Sequence, residues 1–306
     1  MLEVQLRRPV APRDVAVLRD LAAAAEQAAG HSVVGDAAWR DLEEPTPDTA
    51  LIVACDGTAP VGAMHIGPSD SFVSPHFTLS FAVAPGQPPR PVVAALARAA
   101  LDDRTQRGGG WVDLWVLGAD DAWDSAAAEL GLKRERELWQ LRVPLPAETP
   151  RWPPGVRIRT FEPDRDEAAW VVVNNRAFAH DPDQSGWIEE TLRRREREPW
   201  FDPQGLLLAI DDAGIAGFCW TKLHRAAPPV EPVPLGEIYV IGVDPDHQGG
   251  GLGRALTLGG LADLHDRQGT PVGMLFVDAA NEAGVALYRS LGFSLARVDR
   301  AYGRQC

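Results

Sequence analysis

Val243-Asp244-Pro245-Asp246-His247-Gln248-Gly249-Gly250-Gly251-Leu252-Gly253-Arg254-Ala255 follows an apolar run, Glu237-Ile238-Tyr239-Val240-Ile241-Gly242, and precedes a helical pattern. This order predicts a strand that feeds a glycine-rich turn opening a helix. The amides of such a turn, with the positive end of the helix dipole, form a site for an anionic phosphate. A phosphate-bearing cofactor is expected here, and the spacing narrows which kind of loop this is. A Walker loop needs Lys and then Ser or Thr after its last glycine, whereas Arg254 and Ala255 follow Gly253. A dinucleotide fingerprint starting at Gly251 needs glycine at position 256, where the chain has Leu256. What remains is Gln248, Gly251 and Gly253 at Gln-x-x-Gly-x-Gly spacing, with Val243 and Pro245 upstream.

About thirty residues later, Asn281-Glu282-Ala283-Gly284-Val285-Ala286-Leu287-Tyr288-Arg289-Ser290-Leu291-Gly292-Phe293 predicts a short helix, a glycine C-cap and a strand. Ala283, Ala286, Leu287 and Leu291 are its expected apolar face. Within the apolar run before the loop, alternation places Glu237, Tyr239, Ile241 and Val243 on one face. A carboxylate at that point is suited to accept an ammonium proton, or is a solvated strand-end acid; residue pattern leaves both open. From residue pattern alone, Tyr288 reads as a helix residue packing on Leu291 and Phe293. His247 faces phosphate or solvent. His180, His224 and His265 lack metal spacing and a paired nucleophile, and Trp200 and Trp220 are expected in the core.

The loop and the Asn281–Phe293 segment together resemble the GCN5-related N-acetyltransferase superfamily. The resemblance implies an α/β fold with a mixed sheet, acetyl-CoA as co-substrate and no metal. It implies that Ile241, Gly242, Val243, Gln248, Gly249, Gly250, Gly251, Leu252, Gly253, Arg254, Asn281 and Ala286 hold the cofactor. Glu237 would be the general base, a backbone N–H near Val243 would bond the thioester carbonyl, and Tyr288 would protonate the leaving thiolate.

A proline-rich stretch, Pro144-Leu145-Pro146 through Pro150, Pro153, Pro154 and Gly155, divides the 306 residues near their middle. Such density cannot continue a helix or central strand, so domains are expected at 1–146 and 156–306 around a linker at 147–155. The halves resemble each other. Leu51–Met64 and Leu206–Phe218 both read as hairpins, turning at Asp56-Gly57 and Asp211-Asp212-Ala213-Gly214. Both halves then end in a short helix, a Leu-Gly cap and a strand, and a tandem duplication is the economical explanation. Opposite the second half's loop, the first carries Pro88, Pro89 and Pro91, which lack the amides that a phosphate cradle requires. The first domain is therefore expected to be degenerate.

Most of residues 156–306 further resembles the mycothiol synthase family. The match rests on Asn174-Asn175-Arg176-Ala177-Phe178, Gly186-Trp187, Trp200-Phe201-Asp202-Pro203, Trp220-Thr221-Lys222-x-His224 and Leu235-Gly236-Glu237 onward. In the first half it rests on Val34-Gly35-Asp36. That family acetylates the cysteinyl amine of a cysteine–glucosamine–inositol conjugate. The resemblance implies that Asp36, Asp183, Lys222, Glu237 and position 276 contact this substrate. Phe276 stands where the family tends to carry Tyr. Other readings are a tandem transferase for another small amine or a peptide N-terminus, and a non-catalytic acetyl-CoA-binding protein.

Composition agrees with an enzyme of this kind. The net charge of −13 opposes a nucleic-acid surface, and no run of 18 apolar residues predicts a membrane span. Cys55, Cys219 and Cys306 form neither a disulfide framework nor a metal motif. A cytoplasmic monomer acting on a small-molecule amine is expected.

Overall fold

The same succession of elements occurs twice along the chain. The first half runs β1 (Glu3–Arg7), α1 (Pro12–Ala29), α2 (Asp36–Glu43), β2 (Ala50–Asp56), β3 (Ala59–Pro68), β4 (His76–Val83), α3 (Pro89–Gln106), β5 (Trp111–Leu117), α4 (Ala122–Ala128) and β6 (Lys133–Pro144). The second half runs β7 (Arg157–Thr160), α5 (Glu167–Ala177), α6 (Glu189–Glu196), β8 (Leu206–Ile210), β9 (Ile215–His224), β10 (Leu235–Val243), α7 (Leu252–Asp266), β11 (Val272–Asp278), α8 (Glu282–Ser290) and β12 (Ser294–Gln305). The structure, a computed structural model, describes residues 2–69, 75–179, 181, 184–228 and 230–306. Both series read β-α-α-β-β-β-α-β-α-β, so the mixed α/β class and the internal repeat are evident in the fold itself.

Two compact units form, and each is discontinuous in sequence. One comprises residues 1–139, 278–280 and 297–306; the other comprises 140–277 and 281–296. The closing strands are exchanged between the halves. In the first unit, β12 lies antiparallel to β5, with Asp299 opposite Leu117 and Gln305 opposite Trp111. In the second, the end of β6 is present, and the Leu145 amide donates to the Pro271 carbonyl at 2.9 Å. Backbone ladders carry no side-chain identity, so either repeat's last strand satisfies the same row of donors and acceptors.

In the first unit both faces of the sheet are covered. Ile52 and Ala54 join Val92, Leu96 and Ala100 of α3, while Leu51 and Val53 join Leu18 and Leu21 of α1. A strand buried on both faces is apolar without alternation, as residues 50–55 are. The β2–β3 hairpin pairs Asp56 with Ala59 around Gly57, whose φ is 61°.

The second unit repeats this plan with β7, β8, β9 and β10 antiparallel in order, then β11 parallel to β10. One face holds an aromatic core. Trp170 of α5 is fully buried, 4.8 Å from the Phe218 ring and perpendicular to Trp220 at 5.9 Å. The other face is covered by α7, through Leu256, Leu261 and Leu264. Gly259 within α7 makes room for the Trp152 ring of the proline-rich segment, since a Cβ there would fall 2.7 Å from Trp152 Cη2.

Candidate active site

The strand ahead of the loop is not a regular one. Along β9 and β10, Glu237 faces Lys222 and Ile238 faces Thr221, but Val240 faces Trp220, so Tyr239 is an extra, bulged residue. The bulge inverts the alternation beyond it. A Cβ on Gly236 would meet Leu264 and Thr270 on the α7 side, whereas one on Gly242 would meet Phe218 and Ala177 on the α5 side. The expectation that Glu237, Ile241 and Val243 share a face is thereby corrected. Glu237 lies on the α5 side with Val240, and Val243 lies on the α7 side, near Gly253.

Pairing of β10 with β11 covers Leu235–Ile238 and stops at the bulge. The two strands part there, which leaves β10 backbone groups beyond Ile238 available to a ligand. Glu237 stands just before this parting, only 7% exposed. Its Oε2 lies 2.6 Å from His224 Nε2, on a side chain one-third exposed. Lys222, directly opposite in register, is also buried, with Nζ 5.0 Å from the Trp200 ring centroid and 5.7 Å from that of Tyr239.

Beyond Val243 a short 3-10 turn, Pro245–His247, leads to the glycines. Asp244 caps it and is clasped by Arg176 of α5, at 2.7 and 3.0 Å. That hydrogen-bonded guanidinium holds the Asp244 carboxyl below the usual carboxylate range. His247 lies 2.7 Å from Asp211 in the β8–β9 turn, so it braces the loop against the neighbouring hairpin. Gly249 and Gly251 have φ of 81° and 82°, a region that excludes most side chains. Gly251 is the N-cap of α7 and has no side chain to satisfy the first-turn amides of Leu252, Gly253 and Arg254. Open space surrounds Gly249, Gly250 and Gly251, and a groove of about 710 Å³ lined by Gly250, Gly251, Arg254, Glu148 and Arg151 adjoins them. The Gln248 side chain donates to the Val243 carbonyl at 3.4 Å. Arg254 bonds Ser290 at 3.0 Å and Glu148 at 2.9 Å. The whole loop is thus a braced set of outward-facing amides at a positive helix end, and its shape and chemistry fit a diphosphate.

On α8, Tyr288 is buried, with its ring 5.7 Å from Phe293. Burial pushes its hydroxyl up to about 12, so it stays protonated across the neutral range. The buried face is Val285, Tyr288 and Leu291; Ala283 and Ala286 are exposed, which corrects the expected apolar face. Asn281 caps this helix by accepting from the Gly284 amide at 2.9 Å. Asn281→Ala is expected to lower stability by about 1 kcal/mol, the usual worth of such a cap, measured by chemical denaturation.

Of the remaining expected residues, Phe276 is on β11 and 37% exposed, and Asp36 opens α2 in the first unit, on the surface. Asp183 and His180 lie outside the described residues. Residue pattern alone missed the contact of His224 with Glu237. The available signal was its place two residues after Lys222 on one strand face. It also missed Arg151, which a proline-rich segment gives no reason to place in the groove. No cluster of three metal-ligating side chains occurs among the described residues, and no described helix is long and apolar enough to cross a membrane.

The "Acetyltransferase (GNAT) family" model matches residues 166–293, which span β10, the loop and α8. Among solved structures, a GCN5-related N-acetyltransferase from Sphaerobacter thermophilus superposes with a TM-score of 0.73 at 24% identity, covering 99% of this chain and 95% of that one. A tandem GNAT protein from the clavulanic acid biosynthesis pathway does so at 0.73 and 19%, covering 100% and 98%. Both support the fold, including its tandem form. The mycothiol acetyltransferase of Thermobispora bispora is 44% identical over 96% of this chain and 97% of its own length. That of Mycobacterium sp. (strain JLS) is 38% identical over 99% and 98%. With such identity sustained over both repeats, this chain belongs to the mycothiol acetyltransferase family of GCN5-related acyltransferases.

Proposed function

We propose that the second repeat transfers an acetyl group from acetyl-CoA to the cysteinyl amine of a cysteine–glucosamine–inositol conjugate, forming mycothiol. The observation that carries this reading is Glu237, a buried carboxylate at the parting of β10 and β11, on the strand that leads into the amide-rich loop. The acyl donor supplies an activated thioester. The chain supplies everything that positions and deprotonates the amine.

Amides of Gly249–Arg254 and the α7 dipole hold the diphosphate, and backbone N–H groups exposed beyond the bulge stabilise charge on the thioester oxygen. Glu237 takes the ammonium proton. With its hydroxyl at about 12, against roughly 8.5 for a free thiol, Tyr288 donates a hydrogen bond to the departing sulfur and gives up its own proton reluctantly. Lys222 and Phe276 contact the polar conjugate.

The first repeat lacks these features and serves a structural role. Matching the parallel ladders of the two repeats puts Thr78 where the second has Glu237, and β3–β4 pairing runs without a bulge. Its helix α3 starts at Pro89 after Pro88, so amides are missing at the point where a phosphate would sit.

Cells lacking this protein should accumulate the unacetylated conjugate, seen by mass spectrometry of thiols. Normal mycothiol in those cells, or faster acetylation of peptide N-termini by the purified enzyme, would overturn the substrate. Lys222→Met should raise KM for the amine by about tenfold, the loss of one charge-assisted hydrogen bond, with acetyl-CoA affinity unchanged.

A further inference from the structure

A buried base that accepts a proton at each turnover must also release it. Glu237 is 7% exposed, and its Oε2 lies 2.6 Å from Nε2 of His224, whose side chain is 33% exposed. Among the described residues, the imidazole is the hydrogen-bond partner that joins this carboxylate to the surface. Lys222 is the other charged side chain on that face of β9, but an ammonium has no lone pair with which to accept a proton. Its Nζ is also turned over the Trp200 and Tyr239 rings.

We infer that His224 is a proton-relay residue, carrying to solvent the proton that Glu237 takes from the amine. The inference rests on the reading of Glu237 as the base and adds the exit route. Glu237 is neutralised when the ammonium N–H bond breaks and an O–H bond forms. At rest the Nε2–H of His224 donates to the carboxylate; once Glu237 is protonated, exchange with solvent puts the imidazole in its Nδ1–H tautomer, whose Nε2 accepts the proton from Oε2, which regenerates the carboxylate and gives an imidazolium. The imidazolium then loses its Nδ1 proton to water, which leaves the Nε2–H donor of the resting state. One proton enters and one leaves, and no oxidant or further reactant is required. The edge position makes this workable: His224 is the last residue of β9, diagonal to Glu237 across the ladder, with Leu235 opposite it.

Steady-state acetylation of the cysteinyl-glucosaminyl-inositol amine tests this in full-length wild type, His224→Gln and His224→Ala, with and without added imidazole. Gln preserves an N–H donor for the carboxylate but cannot shuttle a proton. Both variants are expected to lose roughly tenfold in kcat with KM for the amine little changed, and imidazole should restore His224→Ala. Wild-type kcat in His224→Gln beside a slow His224→Ala would overturn the relay, because hydrogen bonding alone would then suffice. Wild-type rates in both variants, or no rescue of His224→Ala by imidazole, would also overturn it. Glu237→Gln measured alongside separates the two ideas: an inactive Glu237→Gln with a normal His224→Gln removes the relay only, whereas an active Glu237→Gln removes the base itself.

Discussion

Glu237→Gln is expected to lower turnover by about 10²–10⁴-fold, the range for removing a positioned general base. Gln has the same shape and retains a polar group opposite His224, so the strand and its bulge should persist. Because the side chain lies ahead of the loop rather than in it, acetyl-CoA affinity should remain close to wild type. Steady-state CoA release and calorimetric titration with acetyl-CoA check the two halves of the statement. A loss confined to kcat and kcat/KM, without a loss of cofactor binding, marks an interaction used in the chemical step. Normal turnover would exclude Glu237 from the mechanism.

The second large effect is expected at the loop. Gly250 has no left-handed φ, and nothing lies within 4 Å of a Cβ placed on it. Gly250→Ala should therefore be almost silent in both folding and binding. Gly250→Asp adds a carboxylate beside Gly251 and Arg254, in the groove proposed for the diphosphate. Juxtaposed like charges cost several kcal/mol, so affinity for acetyl-CoA should fall about 100-fold, less at high salt. Melting temperature should change little, since the position is exposed. Comparable affinity in the Ala and Asp variants would place the diphosphate elsewhere.

Legibility differed from element to element. The turn chemistry of Asp56-Gly57 and Asp211–Gly214 announced two hairpins, and both are present because φ preferences are local properties. The loop was legible for the same reason: glycines at 249 and 251 occupy left-handed conformations, and a helix follows. Asn281 and Tyr288 were placed on the right helix and Leu291 is buried as expected, but Ala283 and Ala286 are exposed. Exposure of Ala286 against burial of Val285 depends on what packs above α8, and small side chains carry too weak a preference to announce it.

The bulge at Tyr239 had no sequence signal, and its consequences were the largest. It reverses which face Ile241 and Val243 present, ends the β10–β11 ladder and leaves Glu237 at the parting. Strand alternation assumes an unbroken register, and only the cross-strand partner reveals where an extra residue enters. The burial of Lys222 beside the Trp200 and Tyr239 rings was likewise decided by packing between distant residues.

Sequence by itself determined the class of fold, the duplication, the glycine loop and the acid on the strand before it, because each follows from local periodicity, backbone preference and missing side chains. Tertiary structure alone decided the exchange of β6 and β12, the pairing of Glu237 with His224, and the placing of Arg151 beside the glycines. Those depend on which distant backbone satisfies an open ladder and which side chains share a small buried volume. Neither is encoded in any one stretch of the chain.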